Sequence, residues 1–375
     1  MKKERPRNLA LRTLNGLVHR QSYSDNYLDD LFQRNRYLDN RDRAFISNLV
    51  QGVLRWRLRL DWVIGQFSDF PLKKIDSNVL NILRLAVFQI LFLDRVPESA
   101  AVNEAVNQTK TDKRTRHVSP FVNGILRRIC RQKDKVEFPD RDRDAAHRLS
   151  VFYSYPGWIV DKWVRSLGTD FTEDLLSAQN RISPLNLRVN GLEVSREGLI
   201  ERLSREGITG RPTPYSPVGI IVEDYRGRAD ELAGFKEGLF QVQDQAAQIT
   251  SYLLAPEPED LVLDICAGFG GKSTHLAELM TGKGRIFALD ISCKRLTSLV
   301  RNSRRLGISN IHPVLADALG DLSSLFNAAF DRIMVDAPCS GLGVLSRHPD
   351  GKWNREEKDV KRLARMQKRI LSKAA

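Results

Sequence analysis

The sequence has little cysteine, no metal-binding spacing and no long apolar segment. Its four cysteines form no CxxC pair, which argues against a disulfide framework or a zinc ribbon in a chain of 375 residues. The six histidines show neither HxxxH nor HExxH spacing, so we expect no structural metal. The longest apolar stretch, Leu85 to Leu93, is interrupted by Gln89 and is far shorter than the ~20 residues of a membrane span. No apolar segment follows the basic N-terminus, and we expect a cytoplasmic protein without a membrane anchor.

The chain also lacks an even distribution of charge. Its formal net charge is +13 and its pI is near 9.7. Residues 1–150 carry 29 Lys and Arg against 18 Asp and Glu, whereas the remaining residues carry 30 against 28. A basic half joined to a nearly neutral half indicates a polyanion, such as a nucleic acid, bound by the first half. A solvated, arginine-rich surface is the alternative explanation.

Hydrophobic periodicity divides the chain into three regions. Residues 1–140 carry apolar side chains at helical spacing throughout, with no strand pattern, and predict an all-α bundle. Residues 150–240 are mixed and predict a small α+β connecting domain. Residues 241–375 alternate short apolar strands with helices, which predicts an α/β domain with a doubly wound, mostly parallel sheet.

A glycine-rich loop follows the first apolar strand of the last region, in the segment DICAGFGGKST at Asp264–Thr274. Glycines there let the backbone turn tightly and approach a ligand closely. The segment fails the phosphate-binding pattern GxxxxGK[ST], because Cys266 stands where that pattern needs glycine. The loop therefore suits a small nucleoside ligand better than a polyphosphate, and an ordinary tight strand–helix turn is the alternative.

Acidic residues close the strands that follow. Asp290 closes the next strand, at a position where a carboxylate hydrogen-bonds ribose hydroxyls in sheets of this type. Asp317 closes the third strand, and Asp336 and Cys339 follow the fourth. Each acid alone could be a helix cap, and a lone cysteine is often a small buried apolar residue. Together at the carboxyl ends of successive strands they predict a ligand site, with Cys339 reactive.

These segments resemble a known family of enzymes. The strings in the second half are CAGFGGKST, FALD, LADAL, DAPCSGLGVLSRHPDGKW and, upstream, FQVQDQAAQ. Those in the helical half are DRAFISNLVQGVLRWRLRLDWVI, LRLAVFQILFL, PESAAVNEAVN and FVNGILRRI. Together they are similar to the 16S rRNA (cytosine-5)-methyltransferases of the RsmB/NOP family, which join a NusB-like RNA-binding domain to a Rossmann-like class I methyltransferase domain. The resemblance implies S-adenosyl-L-methionine as cofactor and 16S rRNA as partner.

The resemblance also implies roles for individual residues. The methionine part of the cofactor would be wrapped by Cys266, Ala267, Gly268, Phe269, Gly270, Gly271 and Lys272. Asp290 would take the ribose, and Asp317 would lie near the adenine. Asp336 would lie where cofactor and cytosine meet, and Cys339 would help to release the product.

The chemistry explains the need for cysteine. Addition of a thiolate to carbon 6 of cytosine makes carbon 5 nucleophilic enough to take a methyl group, and a base then removes the carbon-5 proton. In the family the attacking thiol belongs to a second cysteine in a later Thr/Ser-Cys motif, which would fall beyond Ala375. We therefore expect this chain alone to lack turnover. A non-catalytic NusB-like RNA-binding factor, acting in ribosome assembly or antitermination, is the alternative function.

Overall fold

The computed structural model describes residues 4–18, 24–140, 142–223, 225, 227–326 and 329–375. The chain forms two compact units, one of Met1–Ser183 with Gly341–Glu357 and one of Pro184–Ser340 with Lys358–Ala375. No helix within the described ranges has the length and apolar character needed to cross a membrane.

The first unit is helical, as the sequence predicted for residues 1–140, and it also includes residues 150–183, which the sequence assigned to the connecting domain. Its helices are α1 Pro6–Val18, α2 Ser24–Arg34, α3 Asn40–Phe67, α4 Ser77–Phe92, α5 Glu98–Thr111, α6 Ser119–Gln132, α7 Ala145–Tyr153, α8 Gly157–Leu167 and α9 Thr169–Asn180. The Asp76 carboxylate caps α4 by accepting from the backbone N–H groups of Asn78 and Val79. Almost every residue of α4 between Val79 and Ile90 is buried, so α4 is the central helix of the core.

Helices α3 and α4 cross closely because of one glycine. A Cβ atom built on Gly52 of α3 would lie 2.0 Å from Cζ of Phe88 in α4. Only a residue without a side chain therefore fits at this position, and the Phe88 ring packs directly against the α3 backbone.

The second unit begins with a small antiparallel sheet. Its strands are β1 Leu185–Val189, β2 Gly210–Pro212, β3 Gly219–Val222 and β4 Phe240–Val242, in the order β2-β3-β1-β4. Helix α10, Arg196–Arg205, packs its buried Leu199 and Leu203 into the core of this sheet. The α+β connecting domain that the sequence predicted thus has a four-stranded sheet at its centre.

The same unit contains a four-stranded parallel sheet, and the carboxyl ends of its strands lie along one edge. Its strands are β5 Leu261–Ile265, β6 Arg285–Asp290, β7 Ile311–Leu315 and β8 Arg332–Val335, in the order β7-β6-β5-β8. The helices of this part are α11 Gln245–Leu254, α12 Gly271–Leu279, α13 Cys293–Arg305 and α14 Glu357–Ala374. The predicted parallel α/β sheet is confirmed, and the strand-end residues follow its carboxyl edge, where sheets of this kind bind ligands.

Candidate active site

The glycine-rich loop after β5 has a backbone that only glycine adopts easily. Gly268 and Gly270 have φ of +59° and +80°, and a Cβ on Gly270 would lie 2.5 Å from Cγ of Leu299. Cys266 also lies in the left-handed region, at φ +64°, which is costly for a residue with a side chain. The loop is therefore held in one strained conformation between β5 and α12.

Asp290, at the end of β6, fixes this loop from the neighbouring strand. Its Oδ2 accepts from the backbone N–H of Gly268 at 2.9 Å, and its Oδ1 accepts from the N–H of Ser292 at 2.8 Å. The side chain is buried, and the Arg295 guanidinium lies 3.7 Å from the same Oδ2. An ionised carboxylate has about four acceptor positions, and the two hydrogen bonds occupy half of them. The next residue, Ile291, is 68% exposed and adds an apolar surface beside the carboxylate.

An ion pair joins the same loop to the end of β8. The Lys272 ammonium, in the first turn of α12, contacts the Asp336 carboxylate. The Asp336 backbone N–H donates to the carbonyl of Ile265 at 3.2 Å, so both chain segments are fixed beside β5. The Asp336 side chain remains 54% exposed and can be reached by a ligand.

Cys339 lies in the irregular segment after Asp336 and is exposed. Helix α14 supports this segment, because the side-chain amide of Gln367 donates to the Pro338 carbonyl at 3.0 Å. Asp317 is also exposed and lies two residues beyond β7, where its carboxylate accepts from the N–H of Leu319 at 2.9 Å. The sequence-predicted residues thus follow the same sheet edge, with Asp317 in a local turn.

A fourth acidic residue, which the sequence did not single out, lies at the centre of the site. Asp264 in β5 is wholly buried, and its Oδ2 accepts from Oγ of Ser273 at 2.6 Å. Its Oδ1 has no hydrogen-bond partner among the described residues. Burial raises the pKa of Asp264 to about 7. The signal in the sequence is a carboxylate inside an otherwise apolar strand, LVLDI.

Three carboxylates affect the cysteine of the loop. Burial raises the pKa of the Cys266 thiol to about 11, and the charges of Asp290, Asp264 and Asp336 act in the same direction. Cys266 is therefore a poor thiolate. The same three carboxylates make the sheet edge suited to a cationic ligand.

The remaining two cysteines are Cys130, in the helical unit, and Cys293, three residues after Asp290. Cys130 is in α6, and its burial and the neighbouring Glu98 raise its pKa to about 11. Cys293 is exposed at the start of α13. Among the described residues, no group of His, Cys, Asp and Glu is arranged to hold a metal ion.

The segment that follows Cys339 in sequence is part of the helical unit. Asp350 accepts from the N–H and Oγ of Ser24, both at 3.1 Å. Lys352 is fully buried and donates to the carbonyls of Arg55 and Ser154 and to Oδ1 of Asn180, at 3.1, 3.2 and 2.9 Å. Gly341–Glu357 is thus built into the helical core, although the sequence places it within the α/β domain.

The fold and the site define a class: a parallel α/β domain with acidic residues and an exposed cysteine after the carboxyl ends of its strands, in one chain with a helical domain. The family comparisons are specific. Residues 4–131 match the NusB family, residues 155–226 the RsmF/B-like ferredoxin-like domain, and residues 251–375 the 16S rRNA methyltransferase RsmB/F model. The chain belongs to the RsmB/F family of 16S rRNA methyltransferases.

Curated relatives and a solved structure extend over nearly the whole chain. It is 34% identical, over all its length and 82% of the relative, to a probable ribosomal RNA small subunit methyltransferase B of Bacillus subtilis. It is 32% identical, over 99% of its length and 83% of the relative, to ribosomal RNA small subunit methyltransferase B of Escherichia coli. The crystal structure of PH0851 is 24% identical with a TM-score of 0.77, covers 98% of this chain and 81% of that one, and shows the shared fold.

Proposed function

We propose that this protein transfers a methyl group from S-adenosyl-L-methionine to carbon 5 of a cytosine in 16S rRNA. The observation that carries the proposal is the sheet edge itself. The charges of Asp264, Asp290 and Asp336 act on Cys266 of the strained glycine loop there, and the exposed Cys339 follows three residues after Asp336. A pure RNA-binding protein has no need of this arrangement.

The residues present fit the cofactor on three counts. Asp290 keeps free acceptor positions for the two ribose hydroxyls, and the exposed Ile291 beside it can pack against the flat face of a base. Gly268 borders open space, since a Cβ built there would meet only the Cys266 carbonyl oxygen, at 3.9 Å. The carboxylates suit a ligand that carries positive charge on its sulfonium and amino groups. S-adenosylmethionine would supply an electrophilic methyl group at this edge.

The chain's own residues would then position the cytosine. Asp336 is exposed beside the loop, where its carboxylate can accept a hydrogen bond from the cytosine, and Lys272 holds it in place. Cys339 is three residues further on and can serve the step in which the carbon-5 proton is removed and product is released. The target base must leave its stack to reach such an edge.

The helical unit would hold the rRNA. Residues 1–150 carry most of the net positive charge of the chain and include the whole NusB-family match. Phosphate contacts of this kind weaken as salt concentration rises. We therefore expect the affinity for 16S rRNA to fall steeply between 50 and 200 mM salt, by an order of magnitude or more.

The proposal is tested in two stages, cofactor binding by the 375-residue chain and methylation by the chimera described in the next paragraph. Isothermal titration with S-adenosylhomocysteine comes first, and a chain that shows no binding contradicts a cofactor-dependent methyltransferase. Unmethylated 16S rRNA and labelled S-adenosylmethionine follow, with nucleosides identified by mass spectrometry. A methylated nucleoside other than 5-methylcytidine contradicts the assignment to cytosine.

Turnover needs its own control, because the resemblance assigns the attack to a second cysteine in a Thr/Ser-Cys motif and not to Cys339. A chimera would append the part of the Bacillus subtilis relative that this chain does not cover. We expect the chimera to form 5-methylcytidine and the 375-residue chain to form far less. Equal activity of the two proteins would show that a cysteine on this chain performs the attack.

A further inference from the structure

A buried arginine in the small antiparallel sheet bonds to the glycine-rich loop. Arg188 in β1 is fully buried, and its guanidinium makes five hydrogen bonds. It donates to the carbonyl of Gly271 at 2.6 Å, to Oε1 of Gln243 at 2.6 Å, to Oγ1 of Thr274 at 3.0 Å and to both carboxylate oxygens of Glu278 at 2.7 and 3.1 Å. All five N–H groups of the guanidinium are therefore in use.

Three of these partners lie along one side of α12. Gly271, Thr274 and Glu278 are spaced by three and four residues, which places them on one helix face. Gly271 is both the first residue of α12 and part of the glycine-rich loop. Its carbonyl also accepts from the Gln243 amide at 3.3 Å. The loop is thus fixed from the side of the small sheet as well as by Asp290 and Asp336.

This contact constrains the positions of its partners more than it adds to the stability of the fold. A buried ion pair gains little net stability compared with apolar packing, but it requires its partners at defined places. The planar guanidinium fork adds directional constraints that a lysine ammonium cannot reproduce. The contact joins β1 to a loop 83 residues further along the chain.

We propose that Arg188 is a positioning residue for the cofactor site. By holding the Gly271 carbonyl and the side of α12, it fixes residues 266–272, including the turn from which Lys272 reaches Asp336. The small sheet is then a structural part of the cofactor site. This inference rests on the proposed function, because the loop is assigned to S-adenosylmethionine there.

A second arginine provides a matched control. Arg305 at the end of α13 also joins the two sheets, donating to the carbonyls of Phe235 and Phe240 at 2.6 and 3.0 Å. It bonds in addition to the side chain of Gln241 at 2.8 Å, and none of its bonds reaches the glycine-rich loop. Arg305→Lys therefore weakens the same junction between sheets without touching the loop.

The test measures the affinity for S-adenosylhomocysteine by titration, well below the lowest melting temperature. We expect Arg188→Lys to raise Kd at least tenfold and Arg305→Lys to raise it less than twofold at a comparable loss of Tm. Arg188→Met alone leaves the Glu278 carboxylate buried without its partner. The double variant Arg188→Met/Glu278→Leu removes both buried charges, so its Tm should be higher than that of Arg188→Met while its Kd remains raised. An Arg188→Lys protein that keeps Kd within twofold of the parent overturns the inference, as does a double variant that recovers both quantities.

Two further measurements keep the inference testable. Should Arg188→Lys fail to fold, Glu278→Gln weakens the two bonds to Arg188 at a residue outside 266–272 and should still raise Kd about threefold; an unchanged Kd would overturn the inference. Should the parent chain fail to bind S-adenosylhomocysteine, the proposed function fails. Amide hydrogen exchange of residues 266–274 then decides separately whether Arg188 fixes the loop, since faster exchange in Arg188→Lys than in Arg305→Lys is expected and equal exchange overturns it.

Discussion

The helical unit and the parallel sheet bury charge in opposite ways. In the helical unit, Lys352 donates to three acceptors and Asp350 accepts two bonds from Ser24. At the sheet edge, Asp264 keeps one oxygen without a partner among the described residues, and Asp336 stays half exposed. Buried polar groups with satisfied bonds hold the helical unit together, whereas a buried carboxylate with an unpaired oxygen and a half-exposed carboxylate at neighbouring strand ends indicate a ligand. The contrast separates residues that support the helical unit from residues that face a ligand.

The largest effect should come from Lys352, on stability alone. Lys352→Met keeps most of the side-chain volume but leaves the carbonyls of Arg55 and Ser154 and the Asn180 amide without their donor. Each unsatisfied buried group costs about 1–3 kcal/mol, so we expect a loss of about 5 kcal/mol. Thermal unfolding should show a fall in Tm of about 10 °C or more.

The matched control is Lys110→Met, at an exposed position of α5. It should change Tm by no more than a degree or two, as surface substitutions do. A Lys352→Met protein as stable as the control would show that the hydrogen bonds of Lys352 do not support the helical unit, and the contrast with the sheet edge would be lost.

Asp264 should give the next largest effect, and it depends on pH. Its pKa is about 7 in the folded chain, above the ordinary value of 3.8, so the stability it contributes is complete below about pH 4 and is lost as pH rises through 7. The full loss is at most about 4 kcal/mol. Asp264→Asn should therefore flatten the fall in stability between pH 5 and pH 8, as measured by denaturant unfolding at each pH.

Asp321→Asn, at an exposed carboxylate of the same unit, is the control for pH. It should change the difference in the free energy of unfolding between pH 5 and pH 8 by less than about 0.5 kcal/mol. If Asp264→Asn changes the free energy of unfolding equally at pH 5 and at pH 8, the Asp264 carboxyl does not titrate in this range.

The third effect is on ligand affinity. Asp290→Ala removes the carboxylate proposed to bind the ribose, and hydrogen bonds to charged groups are each worth about 1.5–3 kcal/mol. We expect the affinity for S-adenosylhomocysteine to fall about 30- to 100-fold in a calorimetric titration. Asp321→Ala should leave it unchanged. Undiminished binding by Asp290→Ala would contradict a ligand site at the end of β6.

The residues that sequence reasoning found differ from those it missed in how far away in the sequence their partners lie. Asp290 and Asp336 were predictable because each follows an apolar run, and apolar runs mark buried parallel strands. Arg188 and Lys352 were not, because their partners lie 55 to 90 and 172 to 297 residues away in the sequence. An arginine in LNLRV and a lysine in PDGKW look like solvated side chains until tertiary contacts bury them.

The smallest effect on stability should come from Lys272. It lies in the first turn of α12, where the helix dipole disfavours a cation, and its partner Asp336 is half exposed. An exposed ion pair is worth about 0–1 kcal/mol, so these two terms nearly cancel. We expect Lys272→Met to shift Tm by less than about 2 °C at any salt concentration.

If Lys272 contributes so little to stability, its presence at an unfavourable helix position needs another reason. We expect that reason to be contact with the ligand. Lys272→Met should therefore weaken binding of S-adenosylhomocysteine several-fold while Lys361→Met, on the exposed surface of α14, leaves it unchanged. A large, salt-dependent fall in Tm for Lys272→Met would instead make the pair with Asp336 structural. The sheet edge would then resemble the helical unit in the way that it uses charge.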